Sequence, residues 1–149
     1  MRYGFGCDHA GFVLKEVLIK ELVDAGHEVV DMGTDSAERT DFTIYANKVA
    51  QGVSEGTLDA GVLVCGTGMG MALAAGKYPG VRAVSLGDCY SAKMARQHND
   101  ANILCLGGRV IGPGLAVELL RTWLTTDFLG GKYAERLQMM RGGYKGSSD

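Results

Sequence analysis

The sequence has little proline, few histidines and no clusters of like charge. Its 149 residues include two prolines and three histidines, and 15 Lys and Arg residues nearly balance 17 Asp and Glu residues. The resulting net charge of -2 and the pI of about 5.9 do not provide the basic surface that binding to nucleic acid or to anionic lipid requires. We therefore expect no nucleic-acid partner and no membrane partner.

Long apolar runs, a secretory signal and paired cysteines are also missing. No stretch approaches the ~20 apolar residues of a transmembrane helix, and the N-terminal residues do not have the pattern of a signal peptide, so we expect a cytoplasmic protein. Cys7, Cys65, Cys89 and Cys105 form no C-x-x-C pair. With three histidines in the chain, this spacing argues against a zinc or other metal site, and we expect free thiols in a reducing compartment.

Glycine, in contrast, is abundant. The chain has 23 glycines among its 149 residues, about twice the usual share of roughly 7%. A chain of this length forms one domain and buries roughly 70% of the surface that its unfolded form exposes, so its folding needs no disulfide or metal. We expect a single domain over residues 1–141. The sequence GGYKGSSD at residues 142–149 predicts a disordered tail.

Short apolar runs alternate with longer segments of helical period, and this alternation predicts repeated β-α units around a parallel sheet. The predicted fold is therefore α/β, a three-layer αβα Rossmann-like sandwich with a five-stranded parallel sheet. The predicted strands cover residues 3–7, 28–32, 61–65, 82–86 and 103–106.

The segments between and after these strands predict six helices. The first ends at Gly26, and the second has Asp41 as its N-cap. The third covers residues 68–76, the fourth covers 90–97, the fifth begins at Pro113 and the last covers 132–141. The side chains expected to face inward are Leu14, Leu18 and Leu22 in the first helix, Tyr45, Val49 and Val53 in the second, and Leu115, Leu119 and Trp123 in the fifth.

Ligands of open α/β sheets bind beyond the carboxyl ends of the strands, and the loop C-G-T-G-M-G at residues 65–70 follows the third strand. Its glycines allow consecutive backbone N–H groups to converge on an anion. No Gly-Lys-Ser/Thr follows, so the loop is not a Walker A motif, and it lacks the spacing and position of a dinucleotide-binding G-x-G-x-x-G. The pattern predicts a cradle for a small oxyanion; the alternative is a tight turn without a ligand.

Cys65 begins this loop, where its thiol can serve as a base or a nucleophile. The alternative is a small buried hydrophobic residue, which is the role that we expect for Cys7 and Cys105. Asp8 and His9 follow the first strand at the same edge of the sheet and can orient hydroxyls or move protons. Alternatively, Asp8 caps the first helix and His9 is a surface residue.

A second histidine and three cations complete the candidate site. His98 lies in a polar Q-H-N-D segment. Arg109, and Lys132 with Arg136 on one face of the last helix, can bind a phosphate or can be solvated surface charges. These residues together predict a polar site of sugar-phosphate size with a thiol, two imidazoles and an anion cradle. Proton transfer next to a carbonyl is the chemistry that matches it best.

Five motifs occur in order over residues 2–140: G-C-D-H-A-G-F at 6–12, E-R-T-D at 38–41, C-G-T-G-M-G at 65–70, R-Q-H-N-D-A-N at 96–102 and G-G-R-V-I-G at 107–112. With these motifs the sequence resembles ribose-5-phosphate isomerase type B. The wider family includes the subunits of galactose-6-phosphate isomerase and allose-6-phosphate isomerases. The H-N-D segment and the Arg of G-G-R-V favour the ribose-phosphate branch.

The resemblance implies an aldose-ketose isomerase without metal or cofactor that interconverts D-ribose 5-phosphate and D-ribulose 5-phosphate through a cis-enediolate in the non-oxidative pentose phosphate pathway. It implies that Cys65 moves the proton between C1 and C2 and that Thr67 shuttles a proton between the two oxygens. His98, or alternatively His9, would open the furanose ring. The enediolate charge would be held by the backbone N–H groups of Gly66, Gly68, Met69 and Gly70.

The resemblance also implies how the substrate is held. Asp8 and Asn99 would bind sugar hydroxyls, and the phosphate would contact Arg109, Lys132 and Arg136, with His9 nearby. The site would lie between the subunits of a homodimer, with the segment around residue 98 and the last helix coming partly from the neighbour. A tetramer of two such dimers is left open.

Two departures from the family pattern bear on the preferred sugar. G-G-K-Y at 130–133 replaces a common G-G-R-H, and D-F-T-I-Y at 41–45 replaces D-Y-P-x-Y. A hexose-phosphate isomerase for allose 6-phosphate or galactose 6-phosphate, or a rare-sugar isomerase, is the first alternative.

A non-catalytic sugar-phosphate-binding subunit would have lost the base, and Cys65 is present. A flavodoxin-like FMN binder or a signalling receiver would need a flavin-stacking aromatic pair or an acidic cluster, which the strand ends lack.

Overall fold

The computed structural model describes residues 1–141 and has the predicted α/β architecture, an all-parallel five-stranded sheet with helices on both faces. The strands are β1 (Arg2–Cys7), β2 (Glu28–Asp31), β3 (Ala60–Cys65), β4 (Ala83–Ser85) and β5 (Ile103–Gly107), in the spatial order β2-β1-β3-β5-β4. The helices are α1 (Phe12–Asp24), α2 (Phe42–Glu55), α3 (Met69–Ala75), α4 (Cys89–Asn99), α5 (Pro113–Leu124) and α6 (Lys132–Arg141). The predicted tail at residues 142–149 lies outside the described residues.

The central strands are buried along their whole length, as their uninterrupted apolar sequences predict. All six residues of β3 and all five of β5 are buried, because helices cover both faces of a parallel sheet. The edge strands β2 and β4 have four and three residues, fewer than predicted, and their residues are half-buried or exposed. An edge strand has a pairing partner on one side only, so its ends leave the ladder first.

The helices form two layers with separate cores. Buried side chains of α1, α4 and α5 pack on one face of the sheet, and those of α2 and α3 pack on the other. The last helix, α6, packs against α4. None of the helices within residues 1–141 is long and apolar enough to cross a bilayer. The inward stripe predicted for α1 is confirmed, since its buried side chains are Leu14, Leu18 and Leu22.

One detail of the helix predictions is wrong, and the predicted N-cap of α2 is confirmed in position only. Leu115 is 39% exposed rather than inward, because it precedes the buried face of α5 by one residue, which is about 100° around a helix. That face comprises Ala116, Leu119, Leu120 and Trp123. Asp41 occupies the N-cap position of α2, but its exposed side chain accepts no hydrogen bond from the helix, so the first amides of α2 receive no cap from it.

Two glycines let the loops at the carboxyl ends of the strands touch each other. A Cβ on Gly11 would lie 2.1 Å from the carbonyl oxygen of Val64, and a Cβ on Gly108 would lie 2.3 Å from that of Ala10. Neither position has room for a side chain, because the obstacle is backbone. The loops after β1 and β5 therefore pack directly against each other and against the end of β3, and this contact assembles the candidate site.

Candidate active site

Cys65 is the last residue of β3, and its thiol is almost completely buried where the loop to α3 begins. The backbone N–H of Gly68 donates a hydrogen bond to its Sγ, with 3.1 Å between nitrogen and sulfur. Gly68 makes this turn with a φ of 82°, a conformation that glycine adopts without the steric cost of a side chain. The loop therefore holds the sulfur in one place and directs an N–H dipole at it.

Thr67 and Met69 lie on the exposed side of the same loop. The N–H of Met69 donates to Oγ1 of Thr67 at 3.3 Å, and the hydroxyl of Ser85 donates to the carbonyl of Thr67 at 3.3 Å. The threonine hydroxyl is thereby fixed on the side of the loop that a ligand can reach. The Ser85 contact ties the loop to the edge strand β4.

The backbone amides of this loop are only partly available as an anion cradle. Those of Gly68 and Met69 already donate to side chains within the loop. The amide of Gly70 lies in the first turn of α3, where an N–H has no partner within the helix. A Cβ on Gly70 would lie 2.8 Å from the ring of Phe42, so this position cannot take a side chain unless that ring moves.

Asp8 and His9 occupy the loop after β1, as predicted. Asp8 is 6% exposed, and its Oδ1 accepts the N–H groups of Ala10 at 2.9 Å and Gly11 at 3.0 Å. Asp8 therefore caps the turn before α1, whereas the N-cap residue itself is Gly11. Nδ1 of His9 lies 3.2 Å from both the backbone N and O of Thr40, so Nε2 is the ring nitrogen that is left for a ligand.

Arg109 reaches the same edge of the sheet from the loop after β5. The N–H of Gly108 donates to the carbonyl of Cys65 at 2.8 Å, and that of Arg109 donates to the carbonyl of Gly66 at 3.1 Å. A Cβ on Gly66 would lie 3.7 Å from Cδ and 3.9 Å from Nη1 of Arg109, so the guanidinium lies beside the Cys65 loop. We call these residues the carboxyl-edge cluster; its members are Asp8, His9, Cys65, Thr67 and Arg109.

The other thiols differ from Cys65 in their surroundings. Burial raises the pKa of Cys7 to about 11, and burial raises the pKa of Cys105 as well. Both are packed in the two cores, which confirms their predicted role as small buried hydrophobic residues. Cys89 is half-buried and packs against the core under α4.

Among residues 1–141, no group of three or more His, Cys, Asp or Glu side chains is arranged to hold a metal ion.

A second group of candidate residues forms around α4 and α6. The imidazole of His98 stacks on the ring of Tyr133, with centroids 4.2 Å apart and planes 9° from parallel. Two cations approach the same tyrosine ring, Nζ of Lys132 at 5.2 Å and Cζ of Arg136 at 5.5 Å from its centroid. We call this group the helix cluster; its members are His98, Asn99, Lys132, Tyr133 and Arg136.

Ion pairs fix the end of α4 next to this cluster. Asp100 has a φ of 45° and pairs with Arg82 at 3.3 Å and with Arg96 at 3.0 Å. Nε of Arg82 also donates to the carbonyl of Asp100 at 2.7 Å. His98 and Asn99, two and one residues earlier in the chain, therefore lie next to a turn that is held by two guanidinium groups.

The two clusters lie at opposite edges of the sheet. The carboxyl-edge cluster follows strand ends, whereas His98 lies at the end of α4, from which the chain enters the start of β5. Strand β5 begins at Ile103 and ends at Gly107, which is paired with Cys65. At about 3.3 Å per residue, its five residues span about 13 Å from one edge of the sheet to the other. A single chain therefore does not bring the helix cluster to Cys65.

The sequence motifs assign no role to Thr40 or to Tyr133. Thr40 holds His9 from 31 residues away, and Tyr133 faces His98 across the contact between α4 and α6. Contacts between residues so far apart in the sequence depend on how the helices and strands pack, and the spacing of residues in the sequence does not predict this packing. The one available signal is the G-G-K-Y sequence at 130–133, because it departs from the family pattern.

Comparison with known proteins agrees with the fold and with the motifs. The Ribose/Galactose Isomerase family matches residues 4–140. Ribose-5-phosphate isomerase B of Escherichia coli (strain K12) is 47% identical over 137 residues, 92% of this chain and 92% of that protein. The structure of ribose-5-phosphate isomerase B from Clostridium thermocellum has a TM-score of 0.92 at 44% identity, over 95% of this chain and 96% of that one. D-erythrulose-4-phosphate isomerase of Pectobacterium atrosepticum is 38% identical over 134 residues, 89% of this chain and 88% of that protein. The chain belongs to the Ribose/Galactose Isomerase family.

Proposed function

We propose that this protein is an aldose-ketose isomerase that interconverts D-ribose 5-phosphate and D-ribulose 5-phosphate. The observation that supports this most is the Cys65 thiol at the end of a buried strand, with the Gly68 N–H 3.1 Å from its sulfur. A positioned thiol beside a hydroxyl and backbone amides suits reversible proton transfer next to a carbonyl. Relatives named ribose-5-phosphate isomerase B favour the pentose phosphate as substrate.

The reaction begins with opening of the furanose ring, in which a proton leaves the C1 hydroxyl and one is added to the ring oxygen as the C1–O4 bond breaks. Of the two candidate histidines, we assign this step to His98. Its face is held by Tyr133, and neither ring nitrogen forms a hydrogen bond with the rest of residues 1–141, so one nitrogen can accept a proton while the other donates one. Nδ1 of His9 is occupied by Thr40.

Cys65 then transfers the proton between the carbons. Its thiolate removes the proton from C2 of the open aldose, which forms the C1–C2 double bond of a cis-enediolate and places negative charge on O1. Thr67 passes the O2 proton to O1, and the thiol returns its proton to C1 as C2–O2 becomes the carbonyl of the ketose. The loop amide of Gly70 faces the developing charge, which is where electrostatic stabilisation has most effect.

The remaining residues hold the substrate. Asp8 has one carboxylate oxygen engaged by two backbone amides and a second oxygen that can accept a sugar hydroxyl, with Asn99 binding hydroxyls from the opposite side. Four groups bind the phosphate: Arg109, Lys132, Arg136 and Nε2 of His9. Lys132 contributes a point charge where an arginine would form two parallel hydrogen bonds.

The separation of the two clusters supports a homodimer in which the carboxyl-edge cluster of one subunit meets the helix cluster of the other. Met69 and Leu73 are 63% and 73% exposed on α3, next to the Cys65 loop, and apolar surface beside a site is typical of an interface. We also assign the protein to the cytoplasm, in agreement with its four unpaired cysteines. Its proposed substrate places it in the non-oxidative pentose phosphate pathway.

Initial rates of isomerisation in EDTA test this proposal, with ribose 5-phosphate compared with allose 6-phosphate, galactose 6-phosphate and D-erythrulose 4-phosphate. We expect kcat/KM to be highest for ribose 5-phosphate. A higher value for a six-carbon sugar would identify the chain as a hexose-phosphate isomerase with the same machinery. A loss of activity in the chelator would contradict catalysis without metal.

The base assignment is tested with Cys65→Ser and Cys89→Ser. Serine at position 65 keeps an acceptor for the Gly68 amide, so stability should change little, while kcat should fall by about 10²–10⁴-fold, the usual contribution of a general base. The control Cys89→Ser changes a half-buried thiol outside both clusters and should keep its activity. Full activity of Cys65→Ser would exclude Cys65 as the base.

A further inference from the structure

Tyr133 exchanges no proton and contacts no substrate atom in the steps described above, yet it organises the helix cluster. Its ring is stacked within 9° of parallel on the imidazole of His98, at 4.2 Å between centroids. Lys132 and Arg136 both lie within 6 Å of the centre of the same ring. Tyr133 is thus the shared contact of one imidazole and two phosphate-binding cations.

The stack fixes the ring of His98 without using its nitrogens. Within residues 1–141, the imidazole is held by the face of Tyr133 and by no hydrogen bond, whereas His9 is held through Nδ1. Stacked aromatic rings resist tilting away from their parallel arrangement. A histidine held in this way keeps both nitrogens in a defined plane and free for proton transfer. The side chains of His98 and Tyr133 are half-buried, and the other members of the helix cluster are exposed.

We infer that Tyr133 is a positioning residue for ring opening, because it holds the imidazole of His98 in the plane from which a proton is taken from the C1 hydroxyl and one is given to the ring oxygen. This inference rests on the proposed function. Tyr133 itself neither gains nor loses a proton in that step. Because its ring also contacts both cations, the phosphate and the furanose oxygen are held by one connected group of side chains.

Two reactions separate ring opening from the later proton transfer. Net conversion of ribose 5-phosphate requires the furanose to open. Exchange of a C1 hydrogen of ribulose 5-phosphate with D2O does not, because this ketose is open-chain, and the exchange needs only the base and the enediolate. NMR in D2O follows both reactions with one enzyme preparation. Any effect on phosphate binding appears in the KM of both reactions.

The variant Tyr133→Leu removes the aromatic face, and Tyr133→Phe is its matched control. For Tyr133→Leu we expect kcat for ribose 5-phosphate to fall about 100-fold, the usual result of misplacing a reacting group by about 1 Å, while kcat for C1 exchange stays within about threefold. Tyr133→Phe should match wild type in both reactions. The His98 ring-proton NMR signals should lose their ring-current shift in Tyr133→Leu and keep it in Tyr133→Phe.

The outcomes that overturn this inference differ from those that overturn the proposed function. If both reactions fell equally in Tyr133→Leu, or if neither fell, Tyr133 would be a packing residue and not a positioning residue. An unchanged His98 signal in Tyr133→Leu would show that the stack does not set the ring. Failure of the wild-type protein to convert ribose 5-phosphate, or C1 exchange at the wild-type rate in Cys65→Ser, would instead refute the proposed function.

Discussion

Mixing two inactive variants tests whether the active site is shared between subunits. Cys65→Ser disables the carboxyl-edge cluster, and His98→Asn disables the helix cluster, so each homodimer should lose about 10²–10⁴-fold in kcat. The two positions lie at opposite edges of the sheet, on either side of the five residues of β5, which span about 13 Å. Neither side chain can cover that distance within its own chain.

In a mixed dimer, both substitutions therefore fall in one of the two sites, and the other site is intact. Random association of equal amounts gives about half mixed dimers with one working site in two, so about a quarter of the wild-type activity should return. The assay is the initial rate of ketose formation after the variants are unfolded together and refolded, across a series of mixing ratios. Differently tagged subunits allow the mixed dimer to be isolated, and it should have half the wild-type kcat.

Cys65→Ser mixed with Asp8→Asn is the matched control. Both substitutions lie in the carboxyl-edge cluster, so every site in a mixed dimer keeps one of them and no activity should return. If the mixture of Cys65→Ser and His98→Asn also remained inactive, although mixed dimers had formed, each site would be built from one chain. That result would refute the argument from the two edges of the sheet.

Three further predictions test separate features. Gly108→Ala should lower the free energy of unfolding in urea by about 1–3 kcal/mol, because its Cβ would lie 2.3 Å from a backbone oxygen. The control Gly114→Ala has no atom within 4 Å of its Cβ and should raise this free energy by about 0.5–1 kcal/mol. Lys132→Arg should lower the KM for the sugar phosphate about fivefold, because a guanidinium forms two parallel hydrogen bonds to phosphate. Iodoacetamide at pH 8 should label Cys65 in the free protein, and ribulose 5-phosphate should slow this labelling. Cys7 should stay unlabelled, because its pKa is raised to about 11 and about one molecule in a thousand is then thiolate at pH 8. A stable Gly108→Ala, an unchanged KM or equal labelling of the two thiols would contradict the corresponding argument.

The sequence predicts most of the fold because a parallel sheet has a strong local signal. The apolar runs at 61–65 and 103–106 are typical of strands that a parallel sheet buries on both faces, and both are central strands. The inward position of Leu115 is predicted wrongly. Leu115 and Ala116 are both apolar and lie in the first turn of α5, so the sequence pattern does not distinguish them, and packing decides that Ala116 is the buried one.

The candidate site is predictable where it follows strand ends and not where it depends on helix packing. Cys65, Asp8 and Arg109 lie at one edge because parallel strands all end there. The stack between His98 and Tyr133 joins two helices that are separated by β5 and α5, and no spacing in the sequence encodes it. The position of His98 at the far edge follows from topology, since a helix that leads into a parallel strand ends at the edge where the strand begins.

The division of the candidate residues between strand ends and the last helix has a consequence for how this family diversifies. Cys65, the proposed base, lies at the end of a completely buried strand, where a change affects the stability of the whole domain. Lys132, Tyr133 and Arg136 sit on α6, a helix of ten residues in which Leu137 is the one buried side chain. With the phosphate-binding role proposed for α6, substrate recognition can drift through mutations on this helix that leave the core and the proton transfer at Cys65 untouched. New sugar specificities would arise by replacing a few residues of α6 outside the core, while the fold and the proton transfer at Cys65 are inherited unchanged.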